Sequence, residues 1–339
     1  MTAISAIGID LAKNVFQLHG VDEQGRCVLR KRLRRDRLLD ELSKLAPCLI
    51  GVEACTGAFY WQRRFEELGH RVRVIAPQFV KPSAQQQKND RNDAEAICTA
   101  MLQPNMRFVP KKNREQQDIQ ALHRARQRLV NHRTALVSQM RGLLLDRGIA
   151  FAQSIARARK EIPQAIEDMN NDLSDLTRDI LRSLFAFLSE IDVRIAGFDR
   201  RIDQIFRDSE ACRRIAKVRG VGPKTATAMI AAVGDGREFD NGRHMAAWLG
   251  LVPRQRSSGD RRMLFGISKR GDQHLRTLLV HGARAVVRTS ARKNDSFSQW
   301  VNAVRQRRGV NKAIVAVANK NARYIWAMLR RNEEFRPAA

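Results

Sequence analysis

The sequence predicts an α/β domain at the N-terminus followed by a mainly α-helical remainder. Three observations predict this. Strand-like runs alternate with helical stretches up to residue 77, apolar residues then recur at helical spacing, and glycine-rich turns punctuate the last third.

"ISAIGID" (4–10) is an apolar run that ends on Asp10, and "VFQLHGV" (15–21) alternates. Asp22-Glu23-Gln24-Gly25 is turn chemistry before "CVLRKRL" (27–33), so a three-strand meander is expected. A helical stretch at 36–45, a buried-type strand "CLIGVEA" (48–54), a helix over 57–68 and a strand "RVRVIAP" (71–77) complete a compact domain, taken as 1–110.

Beyond Pro110, Ile119, Leu122, Leu129, Leu136, Met140 and Leu143 fall at helical spacings. Leu173, Leu176, Ile180, Leu184, Phe187, Ile191, Ile195, Phe198, Ile202 and Ile205 form a near-heptad stripe. The segment 111–211 is therefore expected to be a helical hairpin or coiled coil, bent around Pro163 in the less regular stretch 148–168.

In the final segment, 212–339, "VRGVGPKTATAMIAAVG" (218–234) has the texture of a helix-hairpin-helix turn. Gly220, Gly222 and Lys224 would face a phosphate there. An ordinary packing corner explains the same residues. Gly250 to Gly271 reads as a loop of 22 residues, and two helices are expected over 272–289 and 311–330.

The chain carries 62 Lys plus Arg against 35 Asp plus Glu, a net charge of +27, which calls for a polyanion. Nucleic acid fits best. No apolar run approaches the roughly 18 residues of a spanning helix, and no signal peptide precedes Ile7, so a cytoplasmic protein with no membrane partner is expected. Five scattered cysteines offer neither a disulfide framework nor a zinc motif, and the seven histidines have no ligand spacing. At 6% aromatic residues, base stacking is not the expected main mode of binding.

Against this basic background, "KNDRNDAEAI" (88–97) sets Asp90 and Asp93 three apart, on one face of a helix. Asp10 and Glu53 each lie at the tail of an apolar strand. If the first and fourth strands are neighbours, these acids face each other and the helix closes the site. Hard oxygen ligands then suit a divalent cation, magnesium or manganese. Each acid alone has an ordinary explanation as a helix cap or a paired strand end.

"IGIDLAKN" (7–14), "GVEACTG" (51–57), "KNDRNDA" (88–94), "VRGVGPKTA" (218–226) and "AAWLGLVPRQRSSG…ISKRGDQHLRTLL" (246–279) together resemble one family over nearly the whole chain. It is the IS one-ten (IS110) family of insertion-sequence transposases, whose relatives include pilin-gene-inverting recombinases.

The resemblance implies a RuvC-like domain of the RNase H fold, a coiled-coil middle and a C-terminal transposase domain with a nucleophilic serine. It puts the acidic tetrad on Asp10, Glu53, Asp90 and Asp93. The serine falls on Ser258, directly before Gly259, with Ser257 in reserve and Ser268 also in the neighbourhood. It further implies a non-coding bridge RNA that pairs with donor and target double-stranded DNA, and dimers that assemble into a tetramer. Within such a site Arg254, Arg256, Lys269 and Arg270 would clamp phosphate oxygens. A hydrolytic RuvC-like nuclease and a non-catalytic nucleic-acid-binding protein are the competing readings.

Overall fold

In the computed structural model the described residues are 3–80, 90–258 and 261–335. They divide into two compact units, Met1–Lys112 and Asn113–Ala339.

The first unit is built on β1 (Ala6–Asp10), β2 (Val15–Val21) and β3 (Cys27–Arg34), followed by α1 (Leu38–Leu42), β4 (Leu49–Glu53), α2 (Ala58–Glu67), β5 (Arg71–Ile75), α3 (Pro77–Val80) and α4 (Asp90–Met101). The sheet order is β3-β2-β1-β4-β5. β1 to β3 form the expected antiparallel meander, while β1, β4 and β5 run parallel. The β2–β3 turn closes on Asp22, whose Oδ1 accepts the backbone N–H groups of Gln24 and Arg26 at 3.0 and 2.9 Å.

Strand alternation divides the core between two faces. Ile7, Ile9, Ile50 and Val52 pack with Leu38 and Leu42 of α1 and with Trp61 and Phe65 of α2. Ala6 on the opposite face packs with Ile97 and Met101 of α4. Buried His70 joins three elements. Its Nδ1 accepts the Cys48 N–H at 3.2 Å, so Nε2 carries the proton and donates to Leu42 O at 3.1 Å.

The second unit opens with α5 (Arg114–Leu145), begun by a capping box between Asn113 and Gln116. It continues with α6 (Ile155–Glu167), α7 (Asp175–Asp208), α8 (Glu210–Ile215), α9 (Pro223–Val233), α10 (Gly242–Trp248), β6 (Pro253–Ser258), β7 (Arg261–Ile267), α11 (Gln273–Ser290), α12 (Ser296–Arg308) and α13 (Val310–Arg331). α5 and α7 are antiparallel: Arg126 bonds Asp199 at 2.5 Å, and seven residues on, Arg133 bonds Asp192, seven residues back, at 3.2 Å. α9 packs on this pair, with His123 Nε2 2.9 Å from Thr227 Oγ1, so residues 113–211 and 212–339 lie together in one unit, while Lys111 and Lys112 belong to the first.

Several expectations are corrected. The stretch read as an irregular bend contains α6, with Pro163 inside it. The near-heptad stripe is only partly buried. Ile191, Ile195 and Ile202 face the core as expected, but Leu176, Ile180 and Phe187 are exposed, and Leu181 and Leu188 are buried in their place. The buried line is an unbroken seven-residue repeat, Leu181, Leu188, Ile195 and Ile202, so in the first half of α7 the stripe lies one residue over from Ile180 and Phe187, and α6 joins the same core through Ala158, Ile162 and Ile166. Gly250 to Gly271 is not a plain loop but contains the antiparallel β6–β7 hairpin. Among the described residues three helices follow it, not two: α11, α12 and α13.

Candidate active site

The acidic residues are positioned by the sheet. β1 and β4 pair in register from Ala6↔Leu49 to Ile9↔Val52, so the next residues along, Asp10 and Glu53, end adjacent parallel strands side by side. Both are half-buried. The carboxyl ends of parallel strands are where open α/β sheets place their ligands.

α4 covers the same face, and two glycines decide how closely. A Cβ on Gly8 would stand 2.2 Å from Ala94 O, and one on Gly51 would stand 2.8 Å from Met101 Sδ. Gly8 and Gly51 are a cross-strand pair two residues before Asp10 and Glu53. Asp93, half-buried, immediately precedes the Ala94 that sits on Gly8. The structure therefore brings Asp10, Glu53 and Asp93 to one face of the sheet. Asp90 opens α4, but its side chain lies outside the described residues.

Glu95 of the same helix turns away, to Arg30 Nη2 at 3.5 Å and His19 Nδ1 at 3.9 Å. Cys55, two residues after Glu53, is exposed at the surface, and its thiol is raised by partial desolvation first and then by the negative charges of Glu53 and Asp10.

Among the described residues no three His, Cys, Asp or Glu side chains are gathered into an ion-holding group. What fits a divalent cation is the donor chemistry. Asp10 and Glu53 offer hard carboxylate oxygens at adjacent strand ends, with Asp93 on the covering helix.

The serines lie in the second unit, on the hairpin. Ser258 ends β6, exposed and opposite Arg261, while Ser257 pairs with Arg262 and Arg256 with Met263. Alternation puts Ser258 on one face with Arg256, whereas Ser257 shares the other face with Gln255, whose Nε2 donates to its Oγ at 2.7 Å; Arg254 lies where the register shifts, between Pro253 and Gln255. Lys269 and Arg270, both exposed, lie at the base of the hairpin. There Lys269 has φ 55°, the Lys269 N–H donates to Gly250 O at 3.2 Å, and the Arg276 guanidinium holds Leu249 O and Arg270 O at 3.1 and 3.0 Å.

A family model described as "Transposase IS116/IS110/IS902 family" matches residues 212–299, and a DEDD transposase model of the IS110 group matches residues 7–147. A probable family 20 transposase of Pseudomonas aeruginosa is 48% identical over 335 residues, covering 98% of this chain and 99% of that protein. The chain belongs to the IS116/IS110/IS902 family of transposases. The transposase for insertion sequence element IS1111A of Coxiella burnetii is 42% identical over 100% of this chain and 93% of its own length. The pilin gene-inverting protein of Moraxella bovis is 30% identical over 125 residues, 36% of this chain and 37% of that protein.

The matched span 7–147 of this transposase contains all four acids, and the span 212–299 contains the hairpin and the 218–234 turn. In that turn Gly220 and Gly222 part ways. Gly220 has φ 85° and is packed on α11, where a Cβ on Gly282 would stand 1.8 Å from Gly220 O, so its backbone serves helix packing. Gly222 stays exposed as the N-cap of α9. Lys224 pairs with Asp199 at 3.1 Å. No helix among the described residues is long and apolar enough to cross a membrane.

Proposed function

We propose that this transposase cuts and rejoins DNA through a covalent Ser258–DNA intermediate, assisted by magnesium, or manganese, at a RuvC-like site of Asp10, Glu53, Asp90 and Asp93. The observation that carries the reading is the β1–β4 register, which ends two adjacent parallel strands on acids beneath the helix that bears Asp93. A metal ion held there would withdraw charge from the scissile phosphate and from the attacking and leaving oxygens.

Ser258 gives up its proton as Oγ attacks phosphorus. The Oγ–P bond forms, the bond to one deoxyribose oxygen breaks, and that oxygen leaves as a hydroxyl with the proton. Rejoining reverses the step: a deoxyribose hydroxyl of the second DNA attacks phosphorus, and Ser258 recovers its proton. One phosphodiester is lost and one gained, so no external energy source is needed. Arg256, on the serine's face of the hairpin, and Arg254 two residues before it neutralise the phosphate oxygens, with Lys269 and Arg270 at the hairpin's base. Gly222 and Lys224 hold a more distant phosphate at the start of α9.

A net charge of +27 suits a protein that holds a bridge RNA together with donor and target DNA. The acids and the serine lie in different compact units, which suits a tetramer in which one subunit's acids serve another's serine.

The test is to express the protein with its flanking DNA, so that any guide RNA is present, and to search for a denaturant-resistant protein–DNA adduct. The expected adduct maps to Ser258, persists in Ser257→Ala, and is lost in Ser258→Ala and Asp10→Asn. Metal-dependent cutting without an adduct would replace the serine by water and overturn the reading.

A further inference from the structure

The register of the first unit carries the acid site sideways along the sheet. Asp10 of β1 pairs with Gln17 of β2, and Gln17 pairs with Arg32 of β3, so the three stand in one row across adjacent strands. Paired residues point to one face. Ala6, four residues before Asp10, packs with Ile97 and Met101 of α4, so the row lies on the face that bears the acids.

The neighbouring rows end on arginines that carboxylates already hold. In the row of Gly8 and His19, Arg30 Nη2 lies 3.5 Å from Glu95 of α4, and in the row of Val15, Arg34 Nε lies 3.6 Å from Asp36. Arg32 differs. It is exposed and has no hydrogen-bond or ion-pair partner among the described residues. An open pocket lies beside it, lined by Gln17, His19, Arg30 and Arg32 with Leu18 and Lys31 between them. The sequence carries this only as alternating arginines in β3.

Strands lie about 4.8 Å apart, which puts the Arg32 backbone about 10 Å from that of Asp10. A phosphate over the acids therefore has its neighbour in the same strand near Gln17, between the two ends of the row. An arginine reaching back along the row meets that neighbour, and the Gln17 amide beneath can donate to it.

We propose that Arg32 and Gln17 form a phosphate subsite beside the acids, holding a phosphate adjacent to the scissile one in the DNA strand being cut. The occupant is that DNA strand because the row begins on Asp10, and the proposal rests on reading the acids as the place of cutting. A backbone contact reads no bases, so it works alongside pairing by a guide RNA.

The test uses the full chain purified with its co-expressed RNA and duplexes of the element's end. Each duplex carries one methylphosphonate, which removes the charge of a single phosphate, placed in turn at the positions flanking the cut. Wild-type protein is expected to lose about tenfold or more in cutting rate at one position. Arg32→Gln is expected to lose a similar factor on unmodified DNA and to be indifferent to the methylphosphonate at that position alone, with Arg32→Lys recovering part of the rate. Its slope of log affinity against log salt should fall by about 1.

Arg32→Gln that cuts at the wild-type rate, or stays sensitive at every position, would overturn the proposal. So would a variant that retains less RNA yet cuts normally per RNA-loaded molecule, since the row would then belong to RNA. A Ser258 adduct that needs Asp10 but not Arg32 would sink the subsite alone. Indifference of Arg32→Gln at one position, in cutting that leaves no adduct, would keep the subsite and remove the serine. Cutting undiminished in Asp10→Asn would remove both the acid site and the subsite built on it.

Discussion

At the scale of single residues, titration offers a test independent of DNA. His123 is 4% exposed and its pKa is lowered to about 4, by burial first and then by His274, Arg126 and Lys224, with Asp199 opposing. The Thr227 hydroxyl donates to Pro223 O at 2.8 Å and so accepts from His123 Nε2, which places the proton of the neutral ring on Nε2. Between about 4 and the ordinary 6.5 the unfolded chain binds the proton that the folded chain refuses. The stability that follows is fully present above the ordinary value and is lost as pH falls towards about 4, in all about 3 kcal/mol. Thermal unfolding between pH 7 and pH 4.5 should therefore fall less steeply in His123→Gln than in wild type. Identical pH slopes would remove His123 from the account. The choice between adjacent serines belongs to this scale too: "RQRSSG" left Ser257 and Ser258 open, and strand alternation separates them by the company each keeps.

At the scale of elements, the seating of α4 on the sheet depends on Gly8. Gly8→Ala places a Cβ 2.2 Å from a backbone oxygen, which cannot rotate away, so α4 must lift. The expected cost is about 1–3 kcal/mol in stability, with DNA cleavage reduced beyond what the loss of folded protein explains. Unchanged melting and cleavage would mean that α4 has room to spare.

A second prediction concerns buried Arg178 of α7, whose Nη1 donates to Ile166 O at 2.5 Å and whose Nη2 donates to Asn171 Oδ1 at 2.7 Å, tying off the end of α6. Arg178→Met should cost about 1–3 kcal/mol by taking the guanidinium away from Ile166 O, although Asn171 Oδ1 keeps the Leu173 N–H, and the loss is read as a lower unfolding midpoint in urea. The meander and the neighbouring acid-tipped strands were legible because strand period and apolar runs are written locally in "ISAIGID" and "CLIGVEA". The hairpin was not, since "PRQRSS" buries nothing and leaves no apolar alternation. Its trace was the Gly259-Asp260 dipeptide between two extended runs. The stripe on α7 misled because Ile180-Leu181 and Phe187-Leu188 are adjacent apolar pairs, and only the second member of each continues the buried repeat of Ile195 and Ile202.

At the scale of the whole molecule, the separation of acids and serine between two compact units turns assembly into a question of chemistry. If each subunit used its own acids with its own serine, Asp10→Asn and Ser258→Ala subunits would stay inactive in any mixture, because every site would lack one member. If instead one subunit's acids meet another's serine, a mixed assembly contains sites that draw Asp10 from the Ser258→Ala subunit and Ser258 from the Asp10→Asn subunit. Such sites are complete. Mixing the two inactive proteins, by co-expression with the RNA and flanking DNA, is therefore expected to restore the Ser258–DNA adduct, carried only on Asp10→Asn chains, which a mass tag on one variant identifies. An adduct absent from the mixture, with both variants present in one assembly by mass, would place acids and serine in the same subunit.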